Sequence, residues 1–366
     1  DKIETRKDGG IILSLEIGVL DKRVNWLKHR LNLKENEIKK ICQQQPTILG
    51  MKSSSLELKL NYLTTRLLLD DAALRKLILC TPNILGMNIK DNIEPKLNYL
   101  QQKLLLDDMA LKKLVLSATN ILAVSIEDNL EPKLNWLQER LDLDEKDLAK
   151  VITKFPNLMI LSLDANIEPT LDWLQQRLKL SDIALRKMIQ RMPGILDLSL
   201  PDNMEPKLDW LQHRLGLTDE ELSKLILKAP PILCYNIDTN IEPKLNWIQQ
   251  RLSLTDGKLS RIIKQMPTLF NLNIDTNLEP KIDWIQQRLN LTDDELSKLI
   301  QKLPSVLSYN IDTNIEPTIN FYIDALGNES KAIAFVIRNP ILLGYSLEKR
   351  LKPRLEEARD AGMIID

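Results

Sequence analysis

Two sets of cations recur along this 366-residue chain, and the chemistry they offer is anion binding. The first is Arg30, Arg66, Lys103, Arg140, Arg177, Arg214, Arg251 and Arg288. The second is Lys40, Lys76, Lys113, Lys150, Lys187, Lys224, Arg261 and Lys298. Cations at regular spacing supply charge and register to a phosphodiester backbone while carrying little base information. The chain as a whole is not basic: 50 Lys and Arg stand against 51 Asp and Glu, a net charge of −1. A nucleic-acid partner would therefore be held by a local stripe and not by bulk charge.

Residues for covalent or metal chemistry are scarce. His29 and His213 are the two histidines, which gives no basis for histidine catalysis or a multi-histidine metal site. Cys42, Cys80 and Cys234 are odd in number and far apart, so they make neither a disulfide framework nor a zinc pattern and suit a reducing compartment. None of the 11 glycines builds a phosphate-cradling loop, and no carboxylate pair or Ser/His/Asp set recurs. No apolar run approaches the roughly 20 residues of a membrane-spanning helix. The expectation is a protein that is not an enzyme and carries no metal or cofactor.

The elements that position the cations follow from a period of 37 residues. Pro95, Pro132, Pro169, Pro206, Pro243, Pro280 and Pro317 share one phase, and Pro156, Pro193, Pro230, Pro267 and Pro304 a second. Trp26, Trp136, Trp173, Trp210, Trp247 and Trp284 share a third, with Tyr62, Tyr99 and Phe321 filling its remaining places, so there are nine units. Length alone suggests two or three domains; the common register argues for one repeat array over residues 1–366 instead.

Within a unit the pattern is helical. Ile241, Leu245, Ile248 and Leu252 line one face of a first helix over residues 240–252, with Asp238, Thr239 or Asn240 as its cap and Pro243 early in it. A second helix over residues 219–228 buries Leu222, Leu225 and Ile226, and Pro230 closes it. Thr218 with Glu221 and Thr292 with Glu295 read as capping boxes. The run from Ile232 to Ile237 suits a single 3₁₀ turn. Neither helix buries its face alone, so the expected fold is an all-α solenoid of nine helix–helix–3₁₀ repeats. The repeats occupy about 22–352, after a partial repeat at 1–21 and before a closing helix at about 347–366. Ile12-Leu13-Ser14-Leu15 resembles the junction before Trp136, so the chain opens inside a repeat and residues are expected upstream.

The run Pro340-Ile341-Leu342-Leu343-Gly344-Tyr345-Ser346-Leu347-Glu348-Lys349-Arg350-Leu351-Lys352-Pro353-Arg354 resembles the repeat junction of the mitochondrial transcription termination factor (mTERF) family. So do internal copies, such as Leu269 to Ile274 leading into Leu278-Glu279-Pro280-Lys281. The resemblance covers essentially the whole chain. It implies a curved superhelix of paired helices in a mitochondrion or chloroplast, binding duplex DNA or structured RNA. Family roles include transcription termination or initiation and RNA maturation. Organellar transcription or ribosome-assembly proteins would be further partners, and the chain would act as a monomer away from membranes.

Each row also has a local explanation. The first row ends the first helix, where a cation complements the macrodipole or stacks on the aromatic one turn earlier. The second has an acid four residues before it at Glu220 and Asp294 but not elsewhere, which points to a partner from outside the chain. A third row, Asn25, Asn61, Asn98, Asn135, Asp172, Asp209, Asn246, Asp283 and Asn320, suggests a hydrogen-bonded ladder between units. The aromatics suggest packing between repeats. The pairs Gln175-Gln176, Gln249-Gln250 and Gln286-Gln287 suit either nucleic-acid contact or an ordinary helix surface. The ninth unit has Ala325 and Ala334 in place of cations, and Phe321, Tyr322 and Phe335 suit a cap. The expected function is double-stranded nucleic-acid binding along a basic edge formed by both cation rows. The alternative is a protein-interaction scaffold.

Overall fold

The computed structural model describes residues 17–361, and every regular element among them is helical. The first three repeats pair α1 (Ile17–Arg30) with α2 (Glu35–Gln44), α3 (Ser53–Arg66) with α4 (Asp71–Cys80), and α5 (Glu94–Lys103) with α6 (Asp108–Ser117). The next three pair α7 (Glu131–Leu141) with α8 (Glu145–Lys154), α9 (Glu168–Arg177) with α10 (Asp182–Arg191), and α11 (Glu205–Leu215) with α12 (Asp219–Lys228). The last three pair α13 (Glu242–Arg251) with α14 (Asp256–Gln265), α15 (Glu279–Arg288) with α16 (Asp293–Lys302), and α17 (Glu316–Leu326) with α18 (Glu329–Arg338). Then α19 (Lys352–Asp360) follows. A 3₁₀ turn such as Pro230–Cys234 follows each second helix, so the fold is the all-α solenoid of helix–helix–3₁₀ repeats. Most of the partial repeat at 1–21, and the last five residues of the closing segment, lie outside the described residues.

The described helices group into two compact units. One lies within Asp1–Gln175 and Ser181–Asp197, the other within Gln176–Leu180 and Leu198–Asp366. Each is built in the same way. Ile241 at the end of the π-turn before α13, Leu245 and Ile248 of α13, and Leu222, Leu225 and Ile226 of α12 are at most 1% exposed. Burying each such side chain contributes about 1.5–3 kcal/mol.

Proline sets how the first helices begin. From Pro95 to Pro353 it is the second residue of the helix, and a π-turn precedes it, as at Ile89–Ile93 before α5 and Ile311–Ile315 before α17. The ring has no N–H to give and collides with the carbonyl four residues back, so the turn ahead of it widens. α3 is the internal control. Leu58 stands where later repeats carry proline, and α3 runs unbroken from Ser53 with no π-turn. A wide turn holds one more residue than an α-turn. Accordingly Trp26 to Tyr62 spans 36 residues, whereas Tyr62 to Tyr99 spans 37.

The same turn corrects the expected cap. Asn236 caps the start of the sixth junction, its Oδ1 accepting from the Thr239 N–H at 2.9 Å, in place of Asp238, Thr239 or Asn240. The added turn moves the true start upstream. Both expected capping boxes form, with Thr218 Oγ1 accepting from the Glu221 N–H and Thr292 Oγ1 from the Glu295 N–H, each at 3.3 Å.

One cation per repeat lies in the core of most repeats. Lys96 Nζ donates to the Leu122 carbonyl at 2.7 Å, Lys133 to Met159 at 2.6 Å, Lys244 to Phe270 at 2.6 Å and Lys281 to Leu307 at 2.8 Å. Lys59 and Lys207 do the same to Leu85 and Leu233, and Arg23 reaches Leu49. Each acceptor belongs to the 3₁₀ turn of the same repeat, whose last carbonyls have no intrahelical donor. Burial pushes the ammonium pKa of all six lysines down. These residues clamp the turn to the first helix. They sit in the phase of the apolar stripe, Lys96 being three residues after Ile93 and four before Leu100.

Candidate nucleic-acid interface

The two expected rows meet different fates. The first reaches across to the next repeat. Arg30, Arg66, Lys103, Arg140, Arg177, Arg214, Arg251 and Arg288 each donate to the Asn or Asp that precedes the next aromatic. The distances run from 2.8 Å at Arg177–Asp209 and Arg251–Asp283 to 3.5 Å at Arg30–Asn61 and Arg288–Asn320. A glutamine joins the same group: Arg140 donates to Gln175 Oε1 at 2.7 Å, Arg214 to Gln249 at 2.9 Å and Arg251 to Gln286 at 2.8 Å. That glutamine then donates to the first residue of its own second helix, as Gln249 does to Asp256 at 2.9 Å.

This is the ladder expected of the Asn/Asp row, with the Arg row as its other rail. It explains why an Asn or Asp is kept mid-helix, where its propensity is poor. It also supplies the Arg row with partners inside the stack. A phosphate would have to displace a carboxylate or amide already in hydrogen-bonding contact, and the arginine side chains are only 21–26% exposed. At Arg288 the Glu316 carboxylate, helped by Glu329, raises the guanidinium pKa further. The expected stack of Arg on the preceding aromatic is not formed: among the described residues the cations over rings are Lys244 on Tyr235 and Arg350 on Tyr345.

The second row faces water. Lys40, Lys76, Lys113, Lys150, Lys187, Lys224, Arg261 and Lys298 are all exposed, on α2, α4, α6, α8, α10, α12, α14 and α16. Among the described residues only Lys150 has an ion-pair partner, Asp147 at 2.9 Å, which lowers the Asp147 pKa and raises that of Lys150. The pairs expected of Glu220 with Lys224 and Asp294 with Lys298 are not made. The nearby Glu221 and Glu295 are held elsewhere: Lys264 and the Thr218 backbone bind the first, the Thr292 backbone and hydroxyl the second, and both pKa values are lowered. One turn beyond the row stand further cations, Lys154, Arg191, Lys228 and Lys302, where repeats one to three have Gln44, Cys80 and Ser117. Sequence reasoning passed over these; their signal is the phase, four residues after each member of the row.

The remaining candidates serve the stack. The row aromatics are half-buried. The Tyr62 and Tyr99 hydroxyls are enclosed without a partner, and burial, with Glu131 second, pushes Tyr99 up to about 12. The first glutamine of each pair belongs to the ladder, while Gln176, Gln250 and Gln287 are exposed. In the ninth unit Phe321 and Tyr322 meet edge to face at 5.2 Å between ring centroids, and Tyr322 meets Phe335 at a tilt at 5.5 Å, joining α17 to α18. Among the described residues no three His, Cys, Asp or Glu side chains are placed to hold a metal, and no helix is long and apolar enough to cross a membrane.

A family model described as mTERF matches residues 11–254 and 213–365. No curated protein matches the chain.

Proposed function

Because the chain belongs to the mTERF family, we propose that it is an organellar regulator of gene expression that holds double-stranded nucleic acid on the exposed cations of its second helices. Termination or initiation of transcription, or RNA maturation, is the class of process it serves. The observation that supports this reading is the contrast between the rows. The stack satisfies the Arg row internally, whereas it leaves a cation on eight successive second helices with almost no internal partner. Each compact unit presents its own segment of the row: Lys40, Lys76, Lys113, Lys150 and Lys187 in one, Lys224, Arg261 and Lys298 in the other. Such contacts give affinity and register, so sequence preference is modest.

The test is binding to labelled 25-base-pair DNA, matched duplex RNA and single-stranded RNA across a salt series. Changing Lys187, Lys224 and Lys298 together to alanine flattens the log K against log salt slope for duplex DNA by about 2.7, roughly 0.9 for each phosphate released. An unchanged slope, or no binding at low salt, overturns the reading.

A further inference from the structure

Three large apolar side chains gather at the surface of the second and third repeats. Leu68, Leu105 and Met109 are 50%, 57% and 61% exposed. Two hydrogen bonds join the two repeats here. Arg66 Nη1 donates to Asp108 Oδ1 at 3.3 Å, and Lys112 Nζ donates to the Leu68 carbonyl at 2.6 Å. Asp108 and Lys112 stand on either side of Met109 along α6, so these bonds tie the link that carries Leu68 to the start of α6, and Leu105 is four residues before Met109. Both leucines have left-handed backbone, with φ of 50°, at the place where Gly216 and Gly327 stand in other repeats. An exposed apolar side chain on a backbone that disfavours it is doubly unfavourable in an isolated chain.

The charges around this face are arranged head to tail. Met109 is one turn before Lys113 on α6 and Ala72 one turn before Lys76 on α4, with Leu105 and Leu68 in the links that lead into these helices. Two carboxylates stand at the start of each helix, Asp70 with Asp71 and Asp107 with Asp108, and all four are exposed. α4 and α6 occupy the same place in adjacent repeats and pack against each other. Each helix therefore has a leucine and two carboxylates at its start and a cation further along, with Met109 or Ala72 between them.

We propose that a second copy of this chain docks on this face through a twofold axis that crosses α4 and α6 near Ala72 and Met109. That axis reverses the helices of the second copy, as an isologous contact requires. Met109 then meets Met109, Leu105 covers the aliphatic stem of Lys113 from the other copy, and that ammonium reaches Asp107. On α4 the same relation brings Leu68 and Asp71 to Lys76. The apolar area is small, so the dimer is a weak, reversible one. The dimer uses Lys76 and Lys113 of the row proposed to hold nucleic acid, so its test is made without nucleic acid.

The experiment is sedimentation velocity of the full chain, without nucleic acid, over a concentration series into the hundreds of micromolar. Reversible dimerisation is expected, and Leu105→Lys with Met109→Lys weakens it by at least about tenfold, 1.4 kcal/mol. The charge arrangement is tested by Lys76→Glu and Asp71→Lys, each of which sets like charges together in its own homodimer and associates more weakly. An equal mixture of the two regains association, because each new charge then meets its opposite. Asp71 is chosen because its one ion pair, to Arg30, is long at 3.7 Å, and melting curves confirm that each variant is folded. A wild-type chain that stays monomeric throughout, or a mixture no stronger than its components, overturns the proposal.

Discussion

The division of labour between the two cation rows makes a quantitative claim about Arg251. Its Nη2 donates to Asp283 Oδ1 and Gln286 Oε1, both at 2.8 Å, and its side chain is 22% exposed. Arg251→Ala removes two charge-assisted hydrogen bonds, one to a carboxylate and one to an amide, and a longer ion pair to Asp293 at 3.7 Å. Hydrogen bonds to charged groups are worth about 1.5–3 kcal/mol. Asp283, however, is 47% exposed and recovers water, and Gln286 keeps its bond to Asp293 at 2.8 Å. The net loss is therefore about 1–2 kcal/mol. In a repeat array the loss falls on the contact between the seventh and eighth repeats. Urea unfolding of wild type, Arg251→Ala, Asp283→Ala and the double variant reads it, with a coupling of about 0.5–1.5 kcal/mol expected between the two sites. The nucleic-acid salt slope of Arg251→Ala stays close to wild type. A variant of unchanged stability whose slope flattens by about 0.9 would falsify the assignment, because that residue would then be holding phosphate.

Three further outcomes follow from the fold. Leu58→Pro costs about 3 kcal/mol or more, since α3 has no wide turn ahead of it, and one residue inserted before position 58 recovers most of the loss in urea melts. Ser253, exposed and at φ 48°, gains about 0.5–1 kcal/mol on change to glycine, read as a raised midpoint; an unchanged or lowered one would refute the strain argument. The buried lysines have folded pKa values below the unfolded 10.5, so the unfolded chain binds more protons in that window and stability climbs as pH rises through it. Tyr99 and Tyr322, pushed up to about 12 against a usual 10.0, act oppositely: their contribution is full below pH 10 and is lost as pH rises above it. Melting temperatures between about pH 8 and 11 therefore rise and then level or fall, and a monotonic fall from pH 8 would contradict the lysine part.

How much of this was legible varies with how far apart the partners lie. Residues 219–228 were readable as α12 to the residue, because Thr218 and Pro230 punctuate both ends. The 3₁₀ turn after it was readable from its length, although it spans Pro230–Cys234 and not Ile232 to Ile237, where the π-turn already begins. The π-turn was not, since it differs from an α-turn by a single hydrogen-bond register; its trace was the 36-residue interval at the one repeat that has Leu58 for proline. The ladder was half readable. Mid-helix Asn and Asp demanded a partner, but that partner lies 32 residues back in Arg140 or Arg251, and each arginine had local explanations close to hand. Lys207 and its equivalents went unread because a lysine in the apolar phase looks like an error of periodicity; only the distant Leu233 carbonyl gives it a purpose. Left-handed links were visible at Gly216 and Gly327 and hidden at Leu68, Lys179 and Ser253.

The neutral net charge and an exposed basic row are compatible because the cations of one repeat lie at three depths. In the sixth repeat Lys207 is bonded to the Leu233 carbonyl and Arg214 to Asn246, Gln249 and Asp256, which leaves Lys224 to the solvent. Total charge therefore says little about what a phosphate meets. What it meets differs by repeat, because the residue one turn ahead of the row varies: Ile183 before Lys187, but Asp294 before Lys298. A carboxylate one turn away, roughly 6 Å, offsets part of the lysine's field, by about 0.7 kcal/mol in water and about half that at physiological salt. Asp294→Asn should accordingly strengthen duplex binding about two- to threefold in low salt, with the gain closing as salt rises. No gain at any salt concentration would mean that the row does not contact phosphate through these ammonium groups.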